Sequence, residues 1–259
     1  MAEENTVNEQ KEIIEAVPEE IEKITEVKRQ HGRYGRREYE KPDKKDLLAS
    51  WVPRTELGRK VKAGKEKDID RILEHERKIL EPEIVDSLLD LDSELILIGQ
   101  AKGKFGGGKR RAWRQTQKKT MEGNVLSFST MTVVGDKNGH VGVGYGSAKE
   151  TLPAREKAIR QAKLNVIKII RGFENPTDSL KSDPHTVPFK IQGKCGSSRI
   201  TLIPAPRGTG LVVADECKKV LRLAGIRDVY AKTFGDTRTT FNLIKACIDA
   251  LEKTKKMVS

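Results

Sequence analysis

Residues 133–151 read VVGDKNGHVGVGYGSAKET, with five glycines in nineteen positions. Two very different proteins could use such a run. A dinucleotide-binding fingerprint needs G-x-G-x-x-G between a strand and a helix, with an acid some 20 residues further on. Here Gly142, Gly144 and Gly146 alternate strictly. Alternation is the period of a strand, so all three fall on one face of it and leave that face bare. The GDKNG segment, Gly135–Gly139, has the Asp, Asn and Gly of a tight turn. It lies between two runs rich in β-formers, Val125–Val134 and Val141–Tyr145. The reading that follows is a β-hairpin, with no phosphate-cradling loop. Beyond it, Ser147–Arg171 is expected to be one long helix, with an apolar stripe of Leu152, Ile159, Ala162, Val166 and Ile169.

Upstream, residues 102–119 (KGKFGGGKRRAWRQTQKK) hold eight Lys or Arg and no acid. The three glycines Gly106–Gly108 predict a flexible loop at its start. Trp113 sits among Arg110, Arg111 and Arg114, so it is open between a base-stacking ring and a packed anchor. Residues 51–90 predict two short helices, one over Asp68–Ile79 and one starting near Pro82. The acids Asp68 and Asp70 stand at a helix start, where capping explains them most simply. Residues 1–45 are expected to be a disordered extension, acidic and then basic. Downstream, prolines in GFENPTDSLKSDPH, 172–185, mark a domain boundary. A second unit then reads as ββαβα: a hairpin over Val187–Gln192 and Ser198–Ile203, a helix over about 211–224, a strand at Asp228–Phe234 and a last helix over about 239–257.

The chain has 259 residues and a net charge of +12, although residues 1–27 hold nine acids against two lysines. The remainder is therefore more basic than the total suggests, which favours a polyanionic partner. Cys195, Cys217 and Cys247 are odd in number and widely spaced, which fits reduced thiols better than disulfides or a zinc site. No apolar run is long enough for a membrane span, and no secretory leader is expected. The histidines His31, His75, His140 and His185 lie in four separate segments. No phosphate loop, G-x-S-x-G elbow or HExxH motif occurs. A non-enzymatic binding protein with no cofactor and no metal is the expectation.

The stretch SFSTMTVVGDKNGHVGVGYGSAKE, Ser127–Glu150, resembles the signature of the small-subunit ribosomal protein S-five family. HTVPFKIQGKCGSSRITLIPAPRGTGLVVAD and AGIRDVYAKTFGDTRTTFNLIKA match the same family, and WVPRTELGRKVKAGK, 51–65, is similar to its archaeal and eukaryotic branch. The resemblance covers about 47–254. It implies an α+β fold: a helical extension over 46–101, a double-stranded-RNA-binding-like domain over 102–175, built of an antiparallel sheet plus helices, and a C-terminal domain over 185–257 with a left-handed βαβ crossover. It also implies a ribosome-bound, cytoplasmic component. Such a protein binds small-subunit ribosomal RNA near the head–body junction and the messenger entry channel, supporting assembly and decoding accuracy. Its neighbours would be proteins S-four and S-eight, with S-three and S-two further candidates.

Carried over by position, the loop Lys118–Asn124 would approach ribosomal RNA. Bacterial relatives have lysine, glycine and arginine where this chain has Met121, Glu122 and Asn124, so the preceding basic run takes on the phosphate contacts. The candidate RNA-contacting residues are Lys109, Arg110, Arg111, Arg114, Lys118, Lys119, Lys137, Asn138, Lys149, Arg155, Lys190, Lys194 and Arg199. The loop Pro206, Arg207, Gly208, Thr209 and Gly210 would lie near the contact with S-four. The rival readings are a free-standing double-stranded-RNA-binding regulator and a small-molecule kinase. The second basic unit argues against the first, and the missing phosphate loop against the second.

Overall fold

Three short helices lead into the first sheet of the structure, a computed structural model that describes residues 48, 50–75, 78–100, 110–174 and 183–258. The expectations for residues 1–45 and for the loop at Gly106–Gly108 lie outside these. Helix α1 spans Glu56–Lys62, α2 Ile69–Glu74 and α3 Pro82–Leu88. The Thr55 side chain accepts from the Gly58 amide at the start of α1, and Pro82 opens α3, where its missing N–H costs nothing. The Glu81 carboxylate accepts from the amides of Arg54 and Thr55 and from the Trp51 indole at 2.9, 2.6 and 2.9 Å. Burial alone would raise its pKa; those donors outweigh burial and hold it below the ordinary value. Ile69, Ile72, Ile84 and Val85 bury against Val134, Ala162 and Val166, which fixes the helices to the sheet.

That sheet has five strands: β1 Asp92–Leu95, β2 Trp113–Thr120, β3 Gly123–Gly135, β4 His140–Ala148 and β5 Val166–Lys168. The expected hairpin is β3–β4, with Val133 opposite Val143 and Gly135 opposite Val141. Strand β3 is longer than expected. One of its edges takes β4 along Phe128–Gly135. The other takes β1 along Thr132–Gly135 and then β2 along Gly123–Thr130. Residues 116–127 therefore run on as a two-stranded arm beyond the end of β4 at Ala148.

Helix α4, Thr151–Leu164, shows what the bare glycine face is for. A methyl group on Gly146, Gly144 or Gly142 would lie 2.2, 2.1 and 2.2 Å from the carbonyl oxygens of Ala154, Ala158 and Ala162. Two strand residues advance about 6.6 Å and four helix residues about 6 Å, so the two rows stay in step. The expected stripe is corrected accordingly: Leu152 is exposed, and the packed row is the fully buried Ala154, Ala158 and Ala162. The helix is also shorter than expected. It ends at Asn165, and the β-branched run that follows forms β5 on the edge of β4. Pro153 is tolerated because it lies in the first turn.

The second sheet runs β6-β7-β9-β8, from β6 Ile191–Cys195, β7 Ser198–Pro204, β8 Leu211–Val212 and β9 Val229–Phe234. Helices α5, Asp215–Leu223, and α6, Thr240–Val258, belong to it. Residues 211–212 were expected to begin a helix; they instead pair in parallel with β9, and α5 starts four residues later. Gly193 repeats the close approach seen on β4, since a methyl there would lie 2.0 Å from the Ala246 carbonyl oxygen of α6. The apolar side chains Met131, Val133 and Val141 of the first sheet join Val220, Leu221, Leu223 and Leu251 in one continuous core. Tyr145 and Phe241 meet edge to face, with ring centres 5.4 Å apart.

Candidate nucleic-acid interface

The arm carries the densest exposed charge. Strand β2 reads WRQTQKKT and is exposed from Arg114 to Lys119. Residues 123–126 of β3 are exposed as well, and Met121 at the tip is fully so. Neither face of the ribbon is covered, so its polar sequence lacks the alternation that betrays a strand. Among the described residues, the side chains of Arg114, Lys118 and Lys119 have no acidic partner.

The preceding arginines are otherwise engaged. Arg110 pairs with Glu216 at 3.3 Å. The Arg111 guanidinium lies 4.6 Å over the Trp113 ring, and Trp113 packs edge to face on Phe128 at 5.4 Å. Trp113 is thus an anchor at the root of the arm, and Phe128 is half-buried beside it. Lys109 lies outside the described residues.

The other candidates are dispersed. Lys137, with φ +62°, pairs with Asp92 at 2.6 Å. Asn138 is exposed, and its carbonyl accepts from Arg171 at 3.2 Å. Lys149 is exposed at the start of α4, while Arg155 is half-buried with its Nε unpaired. Lys190, Lys194 and Arg199 are exposed on the β6–β7 side of the second sheet. In the loop 206–210, the Arg207 guanidinium donates to the Asp183 carbonyl at 3.1 Å, Thr209 Oγ1 to the Pro206 carbonyl at 2.8 Å, and the Gly210 amide to Asp228 at 2.8 Å. Gly208 and Gly210 have φ of +84° and +72°, which explains glycine at both positions.

A charge network was missed. His140 Nδ1 lies 2.6 Å from Asp136 and its Nε2 2.8 Å from Asp70. Asp70 also holds Lys168 at 3.0 Å, and Lys168 reaches Glu74 at 2.9 Å. Burial alone would lower the His140 pKa; the two carboxylates outweigh it and raise it above the ordinary value. Asp136 and Asp70 are likewise held low against their burial, chiefly by His140. Asp70 therefore does not cap α2, and neither does Asp68, whose side chain makes no capping bond. Asp70 ties α2 to the β4 edge. With each charge in it facing an opposite one, the network serves as a structural clamp.

Among the described residues no group of three or more His, Cys, Asp or Glu could hold a metal ion, and no helix is long and apolar enough to cross a membrane. The architecture is that of a binding protein with a basic arm. Family models of "Ribosomal protein S5, N-terminal domain" and "Ribosomal protein S5, C-terminal domain" match residues 112–170 and 193–258, which sets the chain among ribosomal proteins. It is 47% identical to "Small ribosomal subunit protein uS5" of Nanoarchaeum equitans, over 80% of this chain and 88% of that one. The corresponding protein of Hyperthermus butylicus is 47% identical over 83% of this chain and 94% of its own. That of Methanocaldococcus jannaschii is 46% identical over 79% and 88%. The chain belongs to the uS5 family of small-subunit ribosomal proteins, in its archaeal type, a family of structural proteins and not of enzymes.

Proposed function

We propose that this protein is a structural constituent of the small ribosomal subunit in the cytoplasm, and that it holds ribosomal RNA chiefly through the β2–β3 arm. One observation carries the reading: the arm stands clear of β4 with Lys118 and Lys119 near its tip and Arg114 at its root, all three exposed and, among the described residues, without acidic partners. Lysine and arginine in that state exchange condensed counterions for phosphate. Arg110 and Arg111, bound to Glu216 and Trp113, would position the arm and leave the phosphate contacts to the other three. Lys137, Asn138, Lys149, Arg155, Lys190, Lys194 and Arg199 would add contacts elsewhere on the surface.

The finer placement follows the family. The arm would reach RNA of the head–body junction near the messenger entry channel. The loop 206–210 would face protein S-four and so bear on decoding accuracy, with S-eight, S-three and S-two as further neighbours. The parts would be the extension over 46–101, a double-stranded-RNA-binding-like domain over 102–175 and a C-terminal domain over 185–257 with a left-handed β8–α5–β9 crossover. The test is the triple variant Arg114→Gln, Lys118→Gln, Lys119→Gln in the full chain, titrated against small-subunit ribosomal RNA over a salt series. The slope of log K against log salt is expected to fall by up to about 3, at roughly one per lost phosphate contact. An unchanged slope removes the arm from the interface. Sedimentation of the protein free of small subunits would instead support the free-standing regulator.

A further inference from the structure

Among the described residues, the second sheet is covered on one face only. Ile191, Gly193, Ile200 and Leu202 turn toward α5 and α6 and are buried. The intervening residues form the other face, and the register arranges them in rows. Lys194 stands opposite Arg199, and Arg199 opposite Phe234. Gln192 stands opposite Thr201, and Thr201, itself buried between its longer neighbours, opposite Lys232. Ile203 stands opposite Tyr230, and Tyr230 beside Val212. Neighbours within a row lie about 4.8 Å apart and successive rows about 6.6 Å.

We propose that this uncovered face binds single-stranded RNA, with bases stacked on Phe234 and Tyr230 and phosphates held by Lys194, Arg199 and Lys232. The inference rests on the RNA-binding reading above and names a second, chemically different surface. Phe234 and Tyr230 are 54% and 41% exposed, a cost in water that a stacked base removes. The three cations are exposed and, among the described residues, have no acidic partner. None of the four strands contains an Asp or Glu; an acid stands at the β6 edge, where Asp249 of α6 accepts from the Lys194 amide at 2.9 Å, and the charged side chains of the face itself are all cations. Lysine is depleted from protein–protein interfaces, and here it flanks both rings. A duplex hides the flat faces of its bases, whereas a single strand offers them to a sheet of this kind. The signal was present in the sequence as VYAKTF, with Tyr, Lys and Phe at alternate positions.

The experiment uses the full chain and two probes: an oligouridylate of about 12 nucleotides with a central 2-aminopurine, and a blunt RNA duplex of similar length. The wild type is expected to quench the 2-aminopurine. Tyr230→Leu with Phe234→Leu keeps apolar bulk on an exposed face and should preserve the thermal unfolding midpoint. It should lose the quench and weaken single-strand binding about tenfold or more per ring, with duplex binding unchanged. Phe234→Trp should retain both. Lys194→Gln, Arg199→Gln and Lys232→Gln together should lower the single-strand salt slope by about two, at ~0.7 per phosphate.

Quenching that survives the double leucine variant overturns the proposal. So does a wild type that binds duplex through the arm but ignores the single strand, an outcome that leaves the ribosomal reading standing. A wild type that binds neither probe nor ribosomal RNA defeats the arm reading as well. If the leucine variant instead releases a neighbouring protein from reconstituted subunits with RNA binding intact, the face docks protein and the proposal is overturned.

Discussion

A methyl group added at Gly144 would lie 2.1 Å from the Ala158 carbonyl oxygen and 2.2 Å from the Ala162 amide nitrogen. Both are backbone atoms, so no side-chain rotation relieves the contact. Gly144→Ala is expected to cost about 3 kcal/mol or more, read as a lower urea midpoint. Gly208, with φ +84° and nothing within 4 Å, supplies the comparison: Gly208→Ala should cost about 1–2 kcal/mol, from backbone conformation alone. Equal losses in the two variants would contradict the packing account of the alternating glycines. His140 makes a pH-dependent contribution. Its pKa is raised in the fold by Asp136 and Asp70, against its burial. The stability that its charge supplies is therefore fully present below about pH 6.5 and is lost as pH rises through the higher folded value. Unfolding of wild type and His140→Gln from pH 5 to 9 should show a gap that is widest in acid and narrows toward alkali. A gap that grows with pH would reverse the assignment.

The clamp gives α2 its footing, because Asp70 reaches His140 on β4 and Lys168 on β5. Asp70→Asn removes the charge from both contacts. Amide exchange in α2 should then quicken, while the amides of β3 keep their protection; uniform acceleration would mean that the variant destabilises the fold generally. What was legible in the sequence tracks burial. The β3–β4 hairpin was readable from its β-forming runs and the GDKNG turn between them, α3 from Pro82 at its start, and α6 because one-sided burial imposes period 3.6 on apolar residues. Strand β2 was not, since RQTQKK is wet on both faces and nothing selects its alternate positions. Strand β5 is three residues long and simply extends the run that closes α4. The alanine row of α4 escaped because alanine stands out on no hydropathy reading; its meaning depends on the glycines facing it. The same held for the site. The basic run was visible, but that Arg110 is taken up by Glu216, 106 positions away, depends on tertiary contacts that spacing does not encode.

The two sheets share one apolar core in which Met131, Val133 and Val141 meet Val220, Leu223 and Leu251. Residues 112–258 should consequently unfold as a unit, giving a single calorimetric endotherm whose van't Hoff and calorimetric enthalpies agree. Met131→Ala, within the first sheet, should lower that one transition by about 2–5 kcal/mol; two resolved transitions, only one of them shifted, would show that the halves melt separately. Strand β3 links these halves in another way. It runs unbroken from Gly123 beside the arm tip to Gly135, where a methyl would lie 2.4 Å from the Leu223 carbonyl of α5. Thirteen extended residues span about 40 Å, without a hinge glycine between the ends. The strand is a strut. Whatever grips the tip is given a fixed offset from whatever grips the second sheet, so the protein can gauge the separation of two distant elements of an assembly and hold them to it.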